Sequence, residues 1–279
     1  RILIPRGKVV GGSSAINAVV FLRGVPEDYD SWAAAGNEKW SFRELLPFFR
    51  RLESDQDFQD EFHGADGPII ARRFKEHEWN PEQRAFYEAC LAAGYSDCPD
   101  HNRPESTGVG PSAFNNPDGV RWSTAIGYLS EARQRPNLTI ATDSLVHRLI
   151  LEARRAGGVL VESGADLSPA YGDEIILSSG AIGSPHILML SGIGPADQLR
   201  ANQIPIVHDL PGVGQNLRDH PGVQITWKTR PAFKQDELGP VVQFILRYTA
   251  QGSHLPNDMI VYNGSLATTK GYFYQAGSE

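Results

Sequence analysis

The sequence predicts an α/β fold joined to an antiparallel part, and three local patterns carry that prediction. Residues 173–178 form a short apolar run of the kind a parallel sheet buries on both faces. That run passes through Ser179-Gly-Ala-Ile-Gly183 into an apolar helical stretch over 185–190. Such a strand–turn–helix join is where α/β folds hold ligands, because backbone N–H groups are free at a helix N-terminus. From Gln224 onward apolar and polar residues alternate, as they do in antiparallel strands.

The remaining elements follow in chain order. Glu27 to Ala35 reads as a short helix ended by Gly36, and Ser41-Phe-Arg-Glu44 is a capping-box pattern opening a helix to about Leu52, bent near Pro47. A polar stretch over 53–67 leads into a strand-like piece at Ile69 and Ile70. Pro81 to Ala93 is a third helix, with Pro at its start and Gly94 after its end. The stretch 97–121 lacks periodicity and is rich in Gly, Pro and Asn, so it is expected to be a functional or interfacial loop. A helix near 123–133 precedes three strands over 138–142, 146–152 and 159–163, and Ile204 to Val207 is a further strand. Trp32, Trp40 and Trp122 are expected as core anchors rather than a stacking platform.

Composition narrows the function. The 279 residues are 41% hydrophobic, enough for a real core. A net charge of −7 with no basic stripe argues against nucleic acid as a partner. The richest apolar stretch, 15–22, is interrupted by Asn17 and falls far short of the roughly 18 residues of a membrane span. Two cysteines, Cys90 and Cys98, make neither a disulfide framework nor a four-thiolate zinc site.

Gly11-Gly-Ser-Ser-Ala-Ile-Asn17 is the strongest local feature. Its glycines let backbone N–H groups approach a ligand, and its hydroxyls and amide add neutral hydrogen bonds. Alone it reads equally as a turn or as a cofactor loop. No lysine is embedded as in GxxxxGK[ST], so nucleotide hydrolysis is not expected. Gly108-Val-Gly110-Pro-Ser-Ala113 fits GxGxx[GA] only on paper: no strand pattern precedes it, and Pro111 removes a donor. No HExxH, no metal-ligand histidine spacing and no GxSxG elbow occur, so the sequence gives no metal site and no hydrolase nucleophile. Asp219-His220 reads as a loop anchor, with an acid–base role as the alternative.

Taken together these segments resemble the glucose–methanol–choline (GMC) oxidoreductase family, in its bacterial choline-dehydrogenase-like and alcohol-dehydrogenase-like branch. Arg6-Gly-Lys-Val-Val-Gly-Gly-Ser-Ser-Ala-Ile-Asn-Ala18, continuing to Arg23-Gly24, resembles the family's first signature. Gly180-Ala-Ile-Gly-Ser-Pro-His-Ile-Leu-Met-Leu-Ser-Gly-Ile-Gly-Pro195 resembles the second. Between and after them stand Asp28-Tyr-Asp-Ser-Trp32, His63-Gly-Ala-Asp-Gly-Pro68, Arg121-Trp-Ser-Thr-Ala125, Asn137-Leu-Thr139 and Leu210-Pro-Gly-Val-Gly-Gln-Asn-Leu-Arg-Asp-His220. The match runs from residue 6 to about 230 and is weak beyond Pro231.

The resemblance implies an FAD-binding domain of the glutathione-reductase Rossmann type, incomplete here, interleaved with an antiparallel α+β substrate domain. Residues 1–62 and 137–220 would form the FAD side, and 63–136 and 221–279 the substrate side. The family begins with a GxGxxG strand–turn–helix and ends with a His followed by a His or Asn that do the chemistry. Neither is in these residues, so a fragment without a catalytic group is expected. By matching position, Val9 and Gly12 would line the flavin loop, and Asn17, Ala18 and Val19 would meet the isoalloxazine or pyrophosphate. Val146 would meet the adenine, and Gly180 and Ala181 would lie near the dinucleotide. Ile16 stands where some relatives carry a flavin-linked His, so FAD would be held non-covalently. Ala18, Val19 and His186 depart from the Gly, Met and Gln frequent there. The implied reaction is oxidation of a primary alcohol, choline-like or aliphatic or aryl, to an aldehyde by hydride transfer to flavin N5, with oxygen or a quinone-like carrier as acceptor. A cytoplasmic or membrane-peripheral place is expected. The alternatives are a non-catalytic truncated flavin-domain fragment and a lyase or decarboxylase on the same fold.

Overall fold

A computed structural model describes residues 4–233 and 239–265. The chain divides into two compact units, Arg1–Leu138 with Thr226–Glu279, and Thr139–Ile225.

In the first unit, helix α1 (Pro26–Ala34) begins with proline at its first position, and Asp28 Oδ2 accepts the Val25 N–H at 3.0 Å. Proline costs nothing there, because that N–H has no helical partner, and the acidic first turn suits the helix dipole. Helix α2 (Phe42–Leu52) starts where the capping pattern puts it, with the Glu44 N–H donating to Ser41 Oγ at 3.3 Å. Tyr29, Trp32, Trp40, Phe42 and Phe49 then pack α1 to α2 with ring centroids 5.3–6.2 Å apart. Contrary to the core role expected of them, Trp32 and Trp40 stay 48% and 52% exposed. They pack on each other at the rim of the cluster instead. Trp122 is half-buried and donates from Nε1 to the Pro68 carbonyl at 2.8 Å.

Strand β1 (Glu53–Asp55) pairs in parallel with β2 (Ile69–Ala71). The sequence hides β1, because both of its buried side chains are carboxylates. Helix α3 (Pro81–Ala92) ends before Gly94 at φ +93°, as read from its cap residues. The expected loop over 97–121 is about half buried. It contains strand β3 (Gly108–Pro111) and buries Asp100, His101, Asn102, Ser106, Ser112 and Phe114. A π-turn over Ala125–Leu129, continued by Ser130–Ala132, replaces the regular helix expected near 123–133.

The second unit is built on a meander of β4 (Ser144–Glu152), β5 (Arg155–Ser163) and β6 (Asp166–Tyr171), all antiparallel. The sequence pattern missed β6, whose side chains are all exposed. Helix α4 (Gly180–Leu190) covers β4, and Ser191 Oγ accepts the Leu149 N–H at 2.8 Å beneath it. A two-residue parallel pair, β7 (Ile193–Gly194) with β8 (His208–Asp209), flanks the short helix α5 (Ala196–Ala201). The strand expected at 204–207 is thus displaced to β8. Two other expected strands do not form. Residues 138–142 and 173–178 are irregular, and Ile176 is 79% exposed. A strand of the doubly buried kind needs ladder partners on its edges, and no described strand runs beside either segment.

The chain then returns to the first unit through β9 (Phe244–Tyr248) and β10 (Met259–Tyr262), giving the antiparallel order β10-β9-β3. Val109, Leu246 and Cys90 form the buried centre between this sheet and α3, with Phe86 and Tyr87 against it. The Gly108-Val-Gly110 motif has a steric explanation here rather than a nucleotide one. A Cβ on Gly110 would lie 1.6 Å from the Cys98 carbonyl oxygen, and Gly108 sits at φ +114° against Ser96. Replacing Gly110 by Ala is therefore expected to cost about 3 kcal/mol in denaturant unfolding. Gly157→Ala, with nothing within 4 Å of its Cβ, is expected to change stability by less than about 1 kcal/mol.

Candidate functional site

The Gly-rich loop is a single tight turn. Gly11 and Gly12 take φ of +94° and +57°, and residues Gly12–Ala15 close one 3₁₀ turn. Gly7 passes so near that a Cβ there would lie 2.2 Å from the Gly12 oxygen. What fixes the loop is the distant segment Arg121–Ala125, so two separately noted sequence pieces make one substructure. Ser14 Oγ donates to the Gly11 carbonyl at 2.6 Å and accepts the Thr124 N–H at 3.0 Å. Arg121 donates to the Asn17 carbonyl at 2.5 Å and to Asn17 Oδ1 at 2.9 Å. The same Oδ1 accepts the Val19 N–H at 3.0 Å, and Val19 itself is left-handed at φ +53°. Arg121 and Thr124 were not singled out as site residues; their signal was the Arg121-Trp-Ser-Thr-Ala125 string.

The structure thus brings Val9, Gly12, Asn17, Ala18 and Val19 together on one loop. Val9 and Ile16 are 55% and 49% exposed, and Asn17 and Ala18 are exposed beside them. Val146, Gly180 and Ala181 lie in the other unit. Val146 is half-buried on β4 next to a bulge, and Gly180 (φ +83°) and Ala181 are exposed at the first positions of α4. Asp219 and His220 are exposed, and Asp219 Oδ1 accepts the His220 N–H at 2.8 Å, a bond within the loop itself.

Beneath the loop's exit lies a feature that no sequence pattern announced. His63 is 3% exposed; its Nε2 is 2.8 Å from Asp100 Oδ2, and its Nδ1 is 3.3 Å from Glu53 and 3.2 Å from Asp55. Arg73 bridges Asp55 and Asp100, with contacts of 2.9 and 2.6 Å, and Arg23 reaches Glu53 at 2.5 Å. Three carboxylates so face three basic side chains, all nearly buried. Burial alone would lower the His63 pKa. Contacts with Asp100, Asp55 and Glu53 outweigh that and push it up to about 11. Burial likewise opposes ionised Asp55, yet the His63 contact and the Arg73 charge hold it well below the ordinary 3.8.

Glu53, Asp55 and His63 also bring ligand atoms within 4.8 Å of one another, the spacing of a metal centre. The arginines on the same carboxylates already balance their charge, so a dication would meet Arg23 and Arg73 as repelling neighbours. Burial first, then the Arg247 charge, pushes nearby His101 down to about 4, and burial raises the Cys98 thiol to about 11. Those two are packing groups, neutral near pH 7.

Residues 1–222 match the family model for GMC oxidoreductase. The chain belongs to the GMC oxidoreductase family. It is 42% identical over 217 residues to an oxygen-dependent choline dehydrogenase of Photobacterium profundum, a match covering 77% of this chain and 38% of that protein. Pyridoxine 4-oxidase from Mesorbium loti superposes with TM-score 0.71 at 38% identity, over 74% of this chain and 41% of that one. An Aspergillus oryzae formate oxidase variant does so with TM-score 0.73 at 27% identity, over 87% and 47%. The chain spans about two-fifths of the length of the curated relatives it matches. The α/β class expected from the sequence is that of this family. No helix among the described residues is long and apolar enough to cross a membrane.

The ion cluster sets a pH dependence. The folded His63 value lies above its ordinary 6.5, so its contribution is complete below 6.5 and is lost as pH rises through about 11. Asp55 is depressed, so its contribution is present above 3.8 and is lost as pH falls below that. Thermal midpoints are expected to peak between these limits and to decline on the alkaline side. A midpoint as high at about pH 9.5 as at about pH 6 would show His63 to be neutral.

Proposed function

We propose that this chain supplies the flavin-facing loop of an FAD-dependent enzyme that oxidises a primary alcohol to an aldehyde. The observation that carries the reading is the left-handed Gly11-Gly12 turn, pinned by Arg121 and Thr124, in a chain of this family. The residues present fit the group. A Cβ on Gly12 would meet nothing within 4 Å, leaving open space beside the backbone. Exposed Val9, Ile16 and Ala18 offer apolar surface to a flat ring, and Asn17 spends only its carbonyl oxygen inside the loop. Its amide Nδ2 therefore remains a donor for a ligand.

FAD, when bound, supplies the hydride acceptor at N5. Val9, Gly12, Asn17, Ala18 and Val19 are assigned to the flavin, Val146 to the adenine, and Gly180 and Ala181 to the dinucleotide. No residue here is assigned as the base that takes the hydroxyl proton. Residues 1–62 and 137–220 are assigned to the cofactor side, and 63–136 and 221–279 to the substrate side. That division is by role, since residues before 62 pack in the same compact unit as 63–136. Kinship to the choline dehydrogenase favours a choline-like alcohol, with oxygen or a quinone-like carrier as acceptor. A cytoplasmic place is part of the same reading, for cell fractionation to test.

Ile16 has no ring nitrogen or thiol to bond a flavin, so the cofactor is held non-covalently. Acid precipitation of the intact gene product is expected to leave yellow flavin in the supernatant; flavin retained in the pellet would overturn this. Asn17→Asp keeps an acceptor for Val19 and Arg121, so the loop persists while the donor is lost. Its expected effect is an FAD affinity weaker by about tenfold in a fluorescence titration. An unchanged affinity would reduce Asn17 to a turn residue.

A further inference from the structure

We infer that His63 is held as a doubly protonated imidazolium and that its charge positions the backbone leaving the cofactor loop, which makes it a positioning residue for the flavin site. The inference deepens the proposed flavin reading and rests on it for its consequence, not for its geometry.

The protonation follows from which atoms face the ring. Nε2 is hydrogen-bonded to a carboxylate oxygen of Asp100 at 2.8 Å, and Nδ1 lies 3.3 and 3.2 Å from oxygens of Glu53 and Asp55, close enough to feel both charges but aligned for a hydrogen bond with neither. Ionised carboxylates only accept, so a bare nitrogen on either side would turn its lone pair toward oxygen anions. Asp55 and Asp100 are each also bound by Arg73, and Glu53 by Arg23, so ionised acids are what the arginines require. With His63 charged, each acid it faces meets it as well as an arginine; with His63 neutral, the ring turns one lone pair toward an anion. The Phe58 ring covers the imidazole at 5.6 Å, keeping water from that face. The raised pKa of His63 agrees with this geometry.

The positioning role follows from where the cluster's other bonds go. Asp100 Oδ1 accepts the Asn102 backbone N–H at 2.9 Å, holding the backbone that carries the Asn102 side-chain amide. That amide accepts the Arg23 N–H at 2.9 Å and donates to the Phe21 carbonyl at 3.0 Å. Glu53, on the other side of His63, holds the Arg23 guanidinium, which also donates to the Phe62 carbonyl at 2.8 Å. Arg247 closes the ring by donating to the Arg23 carbonyl at 3.2 Å. His63 is thus the one charge shared by the acids that hold Phe21 and Arg23, only a few residues from Asn17 and Val19. Removing it leaves Glu53 on Arg23 and the Gly64 N–H, and Asp100 on Arg73, without the cation that joins the two acids.

The test combines a spectrum of the wild type with the His63→Gln variant. In ¹⁵N-edited NMR of the intact gene product at about pH 8.5, both His63 ring nitrogens are expected to carry protons, well above an ordinary histidine pKa. In hydrogen exchange, His63→Gln is expected to speed the Phe21 and Arg23 amides about tenfold or more while Val109 and Leu246 change little. FAD affinity is expected to fall by about tenfold, whereas His254→Gln, exposed in the turn between β9 and β10, leaves it unchanged. A singly protonated His63 overturns the inference, as does Zn²⁺ uptake that displaces its protons. Equal acceleration at all four amides also overturns it, because that is the mark of general destabilisation. If His63→Gln does not fold, Asp100→Asn, which keeps an acceptor for Nε2–H, is read by the same exchange pattern. Wild-type protein that binds no FAD contradicts the flavin reading alone, and exchange still decides the positioning role.

Discussion

A histidine buried among three carboxylates is costly unless opposite charges lie close, and around His63 each carboxylate also meets an arginine. The energetics of such clusters are lopsided. Assembling one from water gains little net stability, but deleting a single member strands the others and costs about 3–5 kcal/mol. Because its members come from residues 23, 53, 55, 63, 73 and 100, the cluster ties together segments that share no ladder. It does here part of what an apolar core does elsewhere: β1 buries Glu53 and Asp55 on the face where strands usually bury apolar residues, while its partner β2 buries Ile69 and Ala71.

That arrangement explains how a loop with so little covering can hold a defined shape. From Gly11 to Val19 the loop has no buried residue and exposes Ile16, Asn17 and Ala18, and its own turn accounts for few bonds. One end is clamped by Arg121 and Thr124, which satisfy the Asn17 and Gly11 carbonyls. The other is clamped by Asn102, whose backbone N–H is held by Asp100 of the ion cluster, and by Arg247 on the Arg23 carbonyl. Between the clamps stay the groups a flat, partly apolar cofactor would use. Rigid support with an open face is what a binding site needs if little ordering entropy is to be lost on binding.

Much of this was legible in the sequence where the local chemistry is self-contained. The helices announced themselves through Pro26, Ser41, Pro81, Gly36 and Gly94, because caps and breakers act within a turn of their own position. The loop was legible because glycines at left-handed φ cannot be replaced cheaply. What stayed hidden depends on partners distant in sequence. Nothing local marks Glu53 and Asp55 as buried, since a lone carboxylate reads as surface until its arginine is placed beside it. His63 stands in the string His63-Gly-Ala-Asp-Gly-Pro68, which by itself gives it no role. The apolar run at 173–178 was misread for the complementary reason: pattern reports what a segment could bury, and a strand exists only where a neighbour completes its ladder.

The account turns on where a flavin meets this chain, so the most direct measurement is a crystal structure of the intact gene product with FAD. The flavin is expected against Val9, Gly12, Asn17, Ala18 and Val19, with the Arg121 and Thr124 contacts to the loop preserved. A flavin bound away from this loop, or a loop released from Arg121 when the cofactor binds, would contradict it.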